Sequence, residues 1–396
     1  MRFLLVTVFV DMLGLGLIVP IVPALMTAVT ADPATAVVWS GVLGSTYGML
    51  QFALSPLLGR LSDRYGRRPV LLVSLTCLGV DWLAHASASG PWTLLLFHAV
   101  AGACAGTNTV VNAYVADVTE PAERARAYGR IGAAFGLGFV AGPILGGLLG
   151  AVDVRLPFLA AAALCFANAA YGWLILPESR PGDRTTPLTL RAANPVTAII
   201  AVLRRPVLGR LTCARLCADV ARMIHQSVWS FFLAVQFAWT TAHIGAVMAA
   251  GALAGALFQA RAVGPIVRRL GDQRAAIAGS LIGAISPAIT AVAAAPWMLY
   301  TGQAVGVVAS FGGAAERSWI SRGIRPGEQG TVQGALTGVG AMAEACVPVT
   351  AGVAFASLIS YGSPALIFAG AAVFAAASTL LLATTPGQHP PLYQRP

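Results

Sequence analysis

The sequence contains no lysine, and all 25 of its basic residues are arginine. Without lysine it has no G-x-x-x-x-G-K-[ST] phosphate loop, which argues against ATP-driven chemistry by this chain. Charged residues make up only 10% of the 396 residues, against about a quarter in soluble domains. With 57% hydrophobic residues and a mean hydropathy of +0.76, too few polar residues remain to cover a soluble core. The shortage of charge therefore indicates that lipid surrounds the chain.

Paired cysteine motifs are also missing, because none of the six cysteines forms a CxxC pair and all lie in apolar runs. Cys213 and Cys217 would share a helix face and could suggest a metal site, but small apolar packing is the simpler interpretation. We predict no disulfide framework and no metal site. The net charge of +10 would suit nucleic acid, but the arginines occur in short clusters, so no nucleic-acid partner is expected.

Long apolar runs fill most of the chain. A bilayer core about 30 Å thick needs about 20 apolar residues per helix, so there is room for about twelve crossings. We predict an all-α integral membrane protein whose first run, interrupted by Asp11, is a retained helix rather than a signal peptide. The predicted spans are residues 3–28, 38–58, 70–88, 92–115, 128–150, 156–176, 208–236, 242–266, 275–294, 297–318, 330–357 and 363–384.

The chain divides into two similar halves at its longest polar segment, LPESRPGDRTTPLTLRAANP. We predict an N-terminal six-helix bundle over 1–176, a cytoplasmic central loop over 177–207 and a C-terminal six-helix bundle over 208–396. LLGRLSDRYGRR in the first half is echoed by IVRRLGDQRAA at 266–276, between the second and third helices of the other half. This echo indicates a duplicated six-helix unit, which is a recurrent plan among transporters.

Arginine predicts the orientation in the membrane, because loops rich in basic residues stay in the cytoplasm. The loops on one side hold only Arg155. Both termini and the central loop are therefore predicted to be cytoplasmic. The loops on that side hold Arg60, Arg64, Arg67, Arg68, Arg124, Arg126, Arg180, Arg184, Arg191, Arg204, Arg205, Arg268, Arg269, Arg274, Arg322 and Arg325.

Residues 59–70, GRLSDRYGRRPV, place five charges and a proline between two apolar runs, which predicts a tight cytoplasmic turn with Pro69 starting the next helix. Anchoring by arginine explains part of this pattern, but it does not require Asp63. The pattern G-x-L-S-D-R-x-G-R-R resembles the loop signature of the major facilitator superfamily. GLGFVAGPILGG at 136–147 resembles the fifth-helix motif of the drug/proton antiporters in it.

Several longer segments resemble the bacterial tetracycline efflux proteins. The resemblance is dense in the N-terminal half, with DMLGLGLIVPIVPAL, QFALSPLLGRLSDRYGRRPVLLVSL, LPFLAAAAL and LPESRPGDR, and thinner in SVWSFFLAVQFAW, LFQA and EQGTVQGAL. It implies two six-helix bundles that work by alternating access in the inner membrane of a bacterium. It also implies a cytoplasmic latch of Asp63 and Arg67 with Asp117, and a bend at Gly142 and Pro143 that packs the fifth helix on the opposite bundle.

Glycines four residues apart in the fifth helix permit close backbone approach, although a simple packing helix would show the same spacing. The residues predicted to act in gating are Gly59, Asp63, Arg64, Gly66, Arg67, Arg68, Asp117, Gly138, Gly142, Pro143, Gly146 and Gly147.

Ionisable residues inside predicted spans usually mark function, because a charge in hydrocarbon is costly. Asp11 lies midway along the first helix with no basic partner on that helix, so it could take up a proton outside and release it inside. A structural hydrogen bond to a neighbouring helix is the alternative. The resemblance implies coupling roles for Asp11 and Asp81, and it puts arginine where this chain has His98. We predict proton coupling at Asp11, Asp81 and His98.

A polar stripe on the seventh helix consists of Arg215, Asp219, Arg222 and Gln226, whose spacing of 4, 3 and 4 puts them on one interior face. Asp219 could be a structural ion-pair partner or a substrate group. On the fourth helix, His98, Asn108 and Asn112 are consistent with one face. The residues predicted to bind substrate are Gln51, Asn108, Asn112, Asp219, Arg222, His225, Gln226, Trp229, Gln333 and Glu344.

The resemblance implies a drug:H+ antiporter that exports tetracycline as a metal chelate, so that Mg2+ arrives only as part of the substrate. The predicted partners are the drug, protons and the bilayer, and no cofactor is expected. This chain has Gly255 and Gly283 where tetracycline efflux proteins carry histidine and aspartate, so export of another antibiotic or metabolite is the alternative. No catalytic constellation supports an enzyme.

Overall fold

The computed structural model describes residues 2–120, 123–179, 195–322 and 329–386, and within these ranges every regular element is helical. The predicted all-α class is confirmed. A π-helical turn covers Gln259–Val263 and a 3-10 turn covers Pro364–Leu366. The α-helices are α1 (Arg2–Ile18), α2 (Val22–Thr30), α3 (Pro33–Tyr65), α4 (Arg67–Ser87), α5 (Pro91–Ala103), α6 (Thr107–Val118), α7 (Arg124–Val152), α8 (Leu156–Ile175), α9 (Pro195–Leu203), α10 (Pro206–Phe237), α11 (Thr241–Phe258), α12 (Gly264–Leu270), α13 (Asp272–Ala291), α14 (Pro296–Ala309), α15 (Phe311–Arg322), α16 (Gln329–Ser360) and α17 (Ile367–Ala383).

The helices have the length and apolar composition of membrane spans. Among the described residues, seven helical stretches are long and apolar enough to cross a bilayer, and the bent pair of α1 and α2 would make an eighth. Large apolar side chains such as Trp92, Val152 and Leu174 remain largely exposed on the folded chain, as expected where lipid replaces water. The chain is therefore a multi-pass membrane protein, while the number twelve stays a prediction.

Three predicted spans are interrupted, so the prediction of continuous helices is wrong there. The first bends by 50° between α1 and α2 beside Pro20, which has no backbone N–H to donate. Span 92–115 forms α5 and α6, because the N–H of Gly106 turns to the Cys104 carbonyl (2.7 Å) and the Ser74 hydroxyl (3.3 Å). Span 297–318 forms α14 and α15, which separate at Ser310.

The predicted cytoplasmic turn is shorter than expected, because α3 continues to Tyr65 and α4 starts at Arg67 rather than Pro69. Gly66 alone makes the turn, with φ 100° and ψ 159°. Gly271 makes the matching turn between α12 and α13, with φ 77° and ψ 158°. Only glycine adopts this backbone region readily. The sequence echo between the two halves therefore corresponds to the same one-residue turn in each.

The described residues form two compact units. Unit 1 contains the described residues within 1–193, 229–252 and 348–356, and unit 2 contains those within 194–228, 253–347 and 357–396. Three long helices, α10, α11 and α16, contribute residues to both units. The predicted bundles over 1–176 and 208–396 stay a prediction, and most of the predicted central loop, residues 180–194, lies outside the described residues.

Unit 1 is held together by pairs of helices, chiefly α1 with α7 and α4 with α8. Part of α16 packs on α3 backbone to backbone. A Cβ at Gly41 would lie 2.9 Å from the Val349 Cα, and one at Gly352 would lie 2.8 Å from the Val37 carbonyl oxygen. Because Pro348 interrupts the hydrogen bonds of α16, the Val349 N–H instead donates to the Ser45 hydroxyl at 3.0 Å.

Unit 2 is centred on α13, which packs against α14, α15 and α17. Its core is apolar and includes the buried side chains of Leu211, Phe311, Trp319 and Val339. Small residues on α13, Ala275 and Ala276, are fully buried and let the neighbouring helices approach. This packing positions α10, whose polar face carries the predicted stripe of charges.

Candidate functional site

Asp11 lies in the middle of α1 and is only 8% exposed. Its Oδ1 atom is buried and has no hydrogen-bond partner among the described residues. The Thr7 hydroxyl, one turn earlier on α1, is also buried without a hydrogen-bond partner among the described residues. The Asn168 amide of α8 donates to the Thr7 backbone carbonyl at 3.1 Å. In the described part of the chain no basic side chain forms an ion pair with Asp11. An ionised Asp11 is therefore uncompensated in an apolar setting.

Asp81 is fully buried on α4, and two imidazoles face its carboxylate. The Nδ1 atom of His98, on α5, lies 2.7 Å from Oδ2, and the Nδ1 atom of His85, one turn along α4, lies 3.3 Å from Oδ1. The buried thiol of Cys165 on α8 lies near both Asp11 and Asp81. Two predicted coupling residues, Asp81 and His98, are thus brought together. His85 was missed, although its i, i+4 spacing from Asp81 signals a shared face.

The Arg67 side chain is almost fully buried at the start of α4. Its guanidinium lies 2.7 Å from Asp63 Oδ1 on α3 and 3.1 Å from Asp117 Oδ2 on α6, and it donates to the Ser62 hydroxyl at 2.6 Å. The structure thus brings three of the predicted gating residues into one charged cluster. This cluster connects α3, α4 and α6 on the side of the turn at Gly66.

Glu178 completes this cluster and was missed by the sequence reasoning. Its Oε1 accepts the Arg67 backbone N–H at 2.7 Å, and its Oε2 accepts that of Arg68 at 3.2 Å. The residue before α4 is Gly66, which has no side chain to cap the helix, so a carboxylate from beyond α8 takes over that role. The sequence did contain a signal: Glu178 is an acid directly after the predicted span 156–176, and α4 begins after a glycine that cannot cap it.

The other predicted residues around this turn have separate contacts. The Arg64 guanidinium lies 5.7 Å from the centre of the Tyr65 ring, and Arg68 donates to the Trp173 carbonyl. The Gly59 carbonyl accepts the Ser62 hydroxyl at 2.7 Å. None of these contacts by itself assigns a gating role, which stays a prediction.

The glycines of α7 lie against two different helices. A Cβ at Gly138 would lie 2.5 Å from the Phe9 carbonyl oxygen, and one at Gly142 would lie 2.6 Å from the Gly16 Cα, so both face α1. Gly146 likewise faces the α1 backbone. Gly142 therefore contacts α1, and any contact of this helix with the other half of the chain is made by other residues of α7.

Contacts of α7 with the second half of the chain fall on the neighbouring face. A Cβ at Gly147 would lie 2.8 Å from the Thr241 carbonyl oxygen, at the start of α11. The Pro143 carbonyl packs against Gly245, one turn further along α11. Since 3.6 residues make a turn, residues 143 and 147 face about 100° away from 142 and 146, which explains why adjacent positions contact different helices.

The polar stripe of α10 is a continuous set of contacts in unit 2. Asp219 is buried, with Arg215 Nε 2.8 Å from Oδ2 and Arg222 Nη2 3.3 Å from Oδ1. Arg222 also donates to Gln226 Oε1 at 3.2 Å. Glu344 on α16 interacts electrostatically with Arg222 and Asp219. Four predicted substrate residues, Asp219, Arg222, Gln226 and Glu344, therefore lie together.

The remaining predicted substrate residues are less clearly connected. The interruption after α5 puts His98 on α5 and Asn112 on α6, so the single face that was expected for His98, Asn108 and Asn112 stays a prediction. The His225 ring lies 5.4 Å from the ring of Phe368, and the buried Trp229 indole lies 6.2 Å from the ring of Phe232. Gln51 is half-buried on α3. The side chains of Asn108 and Gln333 lie outside the described residues.

Helical spans, an uncompensated acid inside one of them and charged clusters at helix ends are features of a membrane transporter rather than an enzyme. A family model described as Major Facilitator Superfamily matches residues 4–343. The chain therefore belongs to the Major Facilitator Superfamily. The resemblance stated from the sequence motifs is confirmed.

Characterised relatives and solved structures agree with this assignment. The chain is 34% identical over 368 residues to the class C tetracycline resistance protein of Escherichia coli, covering 93% of this chain and 92% of that one. It is 34% identical to the class G protein of Vibrio anguillarum, covering 84% of each. The human organic anion transporter MFSD10 (TETRAN) shares the fold, with a TM-score of 0.72, 22% identity and coverage of 96% and 98%.

Proposed function

We propose that this chain exports tetracycline, as a chelate with a divalent cation, in exchange for protons by alternating access. The proposal takes its substrate from relatives named tetracycline resistance proteins, of which the class C protein covers 93% of this chain at 34% identity. It places the protein in the inner membrane of a bacterium with both termini in the cytoplasm, which the distribution of arginine supports.

The observation that carries the coupling step is the isolation of Asp11. Among the described residues its carboxylate has no counter-ion and its Oδ1 has no hydrogen bond, and such a group is expensive to keep ionised in a membrane. Binding a proton removes that cost, and so does binding a cation. Asp11 can therefore exchange a proton taken from the outside for a positively charged drug chelate taken from the inside.

The energetics of such an exchange are sufficient. A gradient of one pH unit supplies about 1.4 kcal/mol per proton. Each elementary charge that moves across 100 mV adds about 2.3 kcal/mol. For a chelate with one positive charge the exchange moves no net charge, so the potential contribution cancels and the pH gradient alone supports a drug gradient of about tenfold per pH unit. Asp81 and His98 are proposed to take part in coupling beside Asp11.

The polar stripe of α10 is the proposed drug-contacting surface in unit 2. Asp219 is held between Arg215 and Arg222, while Gln226 and Glu344 extend the polar face. The stripe combines donors, acceptors and both signs of charge, which suits a substrate with several oxygens and a bound cation. The other predicted substrate residues belong to this proposal as further drug contacts.

Uptake into inverted membrane vesicles tests the proposed function. With an acid interior imposed, wild-type vesicles should accumulate tetracycline when Mg2+ is present and much less when the cation is chelated. Asp11→Asn should abolish accumulation driven by the pH gradient. Asp32→Asn is the matched control, because Asp32 is exposed, caps α3 through the Thr35 N–H at 2.7 Å, and asparagine caps equally well.

Three results would count against parts of the proposal. Accumulation of tetracycline by Asp11→Asn at the wild-type rate would remove Asp11 from the coupling step. Equal accumulation of tetracycline with and without Mg2+ would show that the metal chelate is not the transported form. Proton-driven movement of a different antibiotic or metabolite, with none of tetracycline, would favour the second candidate substrate class, which Gly255 and Gly283 support as departures from the tetracycline efflux pattern.

A further inference from the structure

Asp81, His85 and His98 form a buried cluster in which three side chains each offer an atom that could bind a metal ion. One donor atom from each of the three side chains lies within 4.8 Å of the other two. Asp81 is fully buried, and the side chains of His85 and His98 are only 7% and 15% exposed. This is the one such group of three or more histidine, cysteine, aspartate or glutamate side chains in the part of the chain that the structure describes.

The hydrogen bonds inside the cluster leave one carboxylate atom unused. His98 Nδ1 lies 2.7 Å from Asp81 Oδ2, but His85 Nδ1 is directed at the Asp81 backbone carbonyl at 2.9 Å. Oδ1 is therefore buried without a hydrogen-bond partner among the described residues, although His85 Nδ1 is only 3.3 Å away. A buried anionic oxygen in this condition favours a cation beside it.

We propose that Asp81, His85 and His98 bind one divalent transition-metal ion such as Zn2+ between α4 and α5. Imidazole nitrogen together with carboxylate oxygen is a ligand set that Zn2+ and its neighbours prefer, whereas Mg2+ prefers oxygen alone. Metal bonds of about 2.0–2.2 Å in a tetrahedral site place ligand atoms roughly 3.4 Å apart. The separations of 2.7 and 3.3 Å on either side of the carboxylate lie below that value, so the His98 ring would have to move outward by about 0.7 Å to admit the ion.

Aromatic neighbours hold the imidazoles in the required positions. The ring of Phe158 stacks on His85 at 5.7 Å with an interplanar angle of 11°, and Tyr47 lies 5.0 Å from the His98 ring. The His85 and His98 rings themselves are 5.3 Å apart. Three protein ligands leave a fourth position open, and the partial exposure of His98 provides access to it. The bound ion would link α4 to α5.

Metal titration of the purified full-length chain in detergent tests the proposal, with Zn2+ followed by calorimetry and Co2+ by its visible absorption. Wild type should bind one ion per chain, and His85→Gln and His98→Gln should each weaken binding by at least the 10- to 100-fold that loss of an outer partner costs. His243→Gln is the matched control, because His243 is exposed and stacks on Trp239, away from the cluster. Its binding should equal that of wild type.

Stability gives a second readout that needs no transport. Zn2+ at 100 times its dissociation constant should raise the unfolding temperature of wild type and of His243→Gln, but not of the cluster variants. Asp81→Asn serves as a further cluster variant if one histidine variant fails to fold. Absence of binding to wild type, or equal binding by all cluster variants, would overturn the proposal. The result is independent of the proposed function, because a chain that exports no tetracycline can still bind the ion.

Discussion

The Glu178 carboxylate accepts the backbone N–H of Arg67 at 2.7 Å, although 111 residues separate them in the sequence. The same carboxylate accepts the N–H of Arg68, while the Arg67 side chain pairs with Asp63 and Asp117. One residue after α8 therefore fixes the start of α4, and with it the charged cluster that the sequence motif predicted.

Removing this cap should destabilise the protein. We expect Glu178→Ala to lower the free energy of unfolding by about 1–2 kcal/mol, as loss of a helix cap does, and Glu178→Gln to cost less because the amide oxygen still accepts. Glu120→Ala, which also removes an exposed acid beyond the end of a helix, is the control. Denaturant unfolding in detergent measures the difference, and equal stability of both alanine variants would show that the cap contributes nothing.

Comparing Gly66→Ala with Gly271→Ala should distinguish the effect of backbone strain on stability from the effect of steric crowding around the new Cβ. Both Gly66 and Gly271 adopt a conformation that costs another residue about 1–3 kcal/mol. In the described part of the chain nothing lies within 4 Å of a Cβ added at Gly271, whereas at Gly66 the Cβ would meet the Glu178 carboxylate. We therefore expect Gly66→Ala to destabilise the chain more than Gly271→Ala in thermal unfolding. If Gly271→Ala were the less stable variant, the Glu178 carboxylate would be able to move away from the new Cβ at residue 66 without lowering the stability of the protein.

The contact of α7 with α1 should tolerate no added methyl group. In Gly142→Ala the Cβ would lie 2.6 Å from the Gly16 Cα and 2.9 Å from the Leu13 carbonyl oxygen, both backbone atoms that cannot rotate away. Overpacking of this kind typically costs about 1–3 kcal/mol. The Cβ of Gly136→Ala on the same helix meets no described residue within 4 Å, so this variant should be neutral or slightly stabilising. Expression level and unfolding temperature of the two variants, compared side by side, measure the effect.

Asp219 should matter for stability as well as for any contact with a drug. Its side chain is 4% exposed and pairs with Arg215 and Arg222, so Asp219→Asn leaves two guanidinium groups without their buried partner. Breaking a buried pair costs about 3–5 kcal/mol, and we expect the lower end because the Arg222 side chain is 48% exposed.

The double variant Arg215→Gln with Asp219→Asn should recover part of that loss, since it leaves one uncompensated charge fewer. Exposed Asp153, whose Oδ1 accepts the Arg155 N–H, provides the control through Asp153→Asn. Denaturant unfolding of the four proteins completes the comparison. A double variant no more stable than Asp219→Asn alone would show that the pair is not the source of the effect.

Much of the fold could be predicted from the sequence, because hydrocarbon imposes long apolar helices and confines charge to their ends. The all-α class and the family followed from that constraint and from two motifs. The breaks after α5 and α14 could not be predicted, since hydropathy does not register a single N–H that turns to the Ser74 hydroxyl or the Ser310 N–H that donates to the Val307 carbonyl.

The site divides in the same way. Residues on one helix, such as Asp219 and Arg222, could be grouped from spacing alone. Glu178 and His85 were missed because their importance depends on contacts with other helices, which periodicity does not encode. Gly142 and Gly147 were both predicted to act in gating, but because they lie five residues apart on α7 they contact different neighbouring helices.

The seam between α3 and α16 has a consequence for how easily these helices part. Gly41 and Gly352 bring main chain against main chain, so at these two positions no side chain has to change its rotamer when the helices separate. The Ser45 hydroxyl that accepts the Val349 N–H is replaceable by a single water molecule. A seam formed at glycines therefore gives close van der Waals contact while α3 and α16 are joined, and it leaves no side chain at Gly41 or Gly352 to be displaced when they separate.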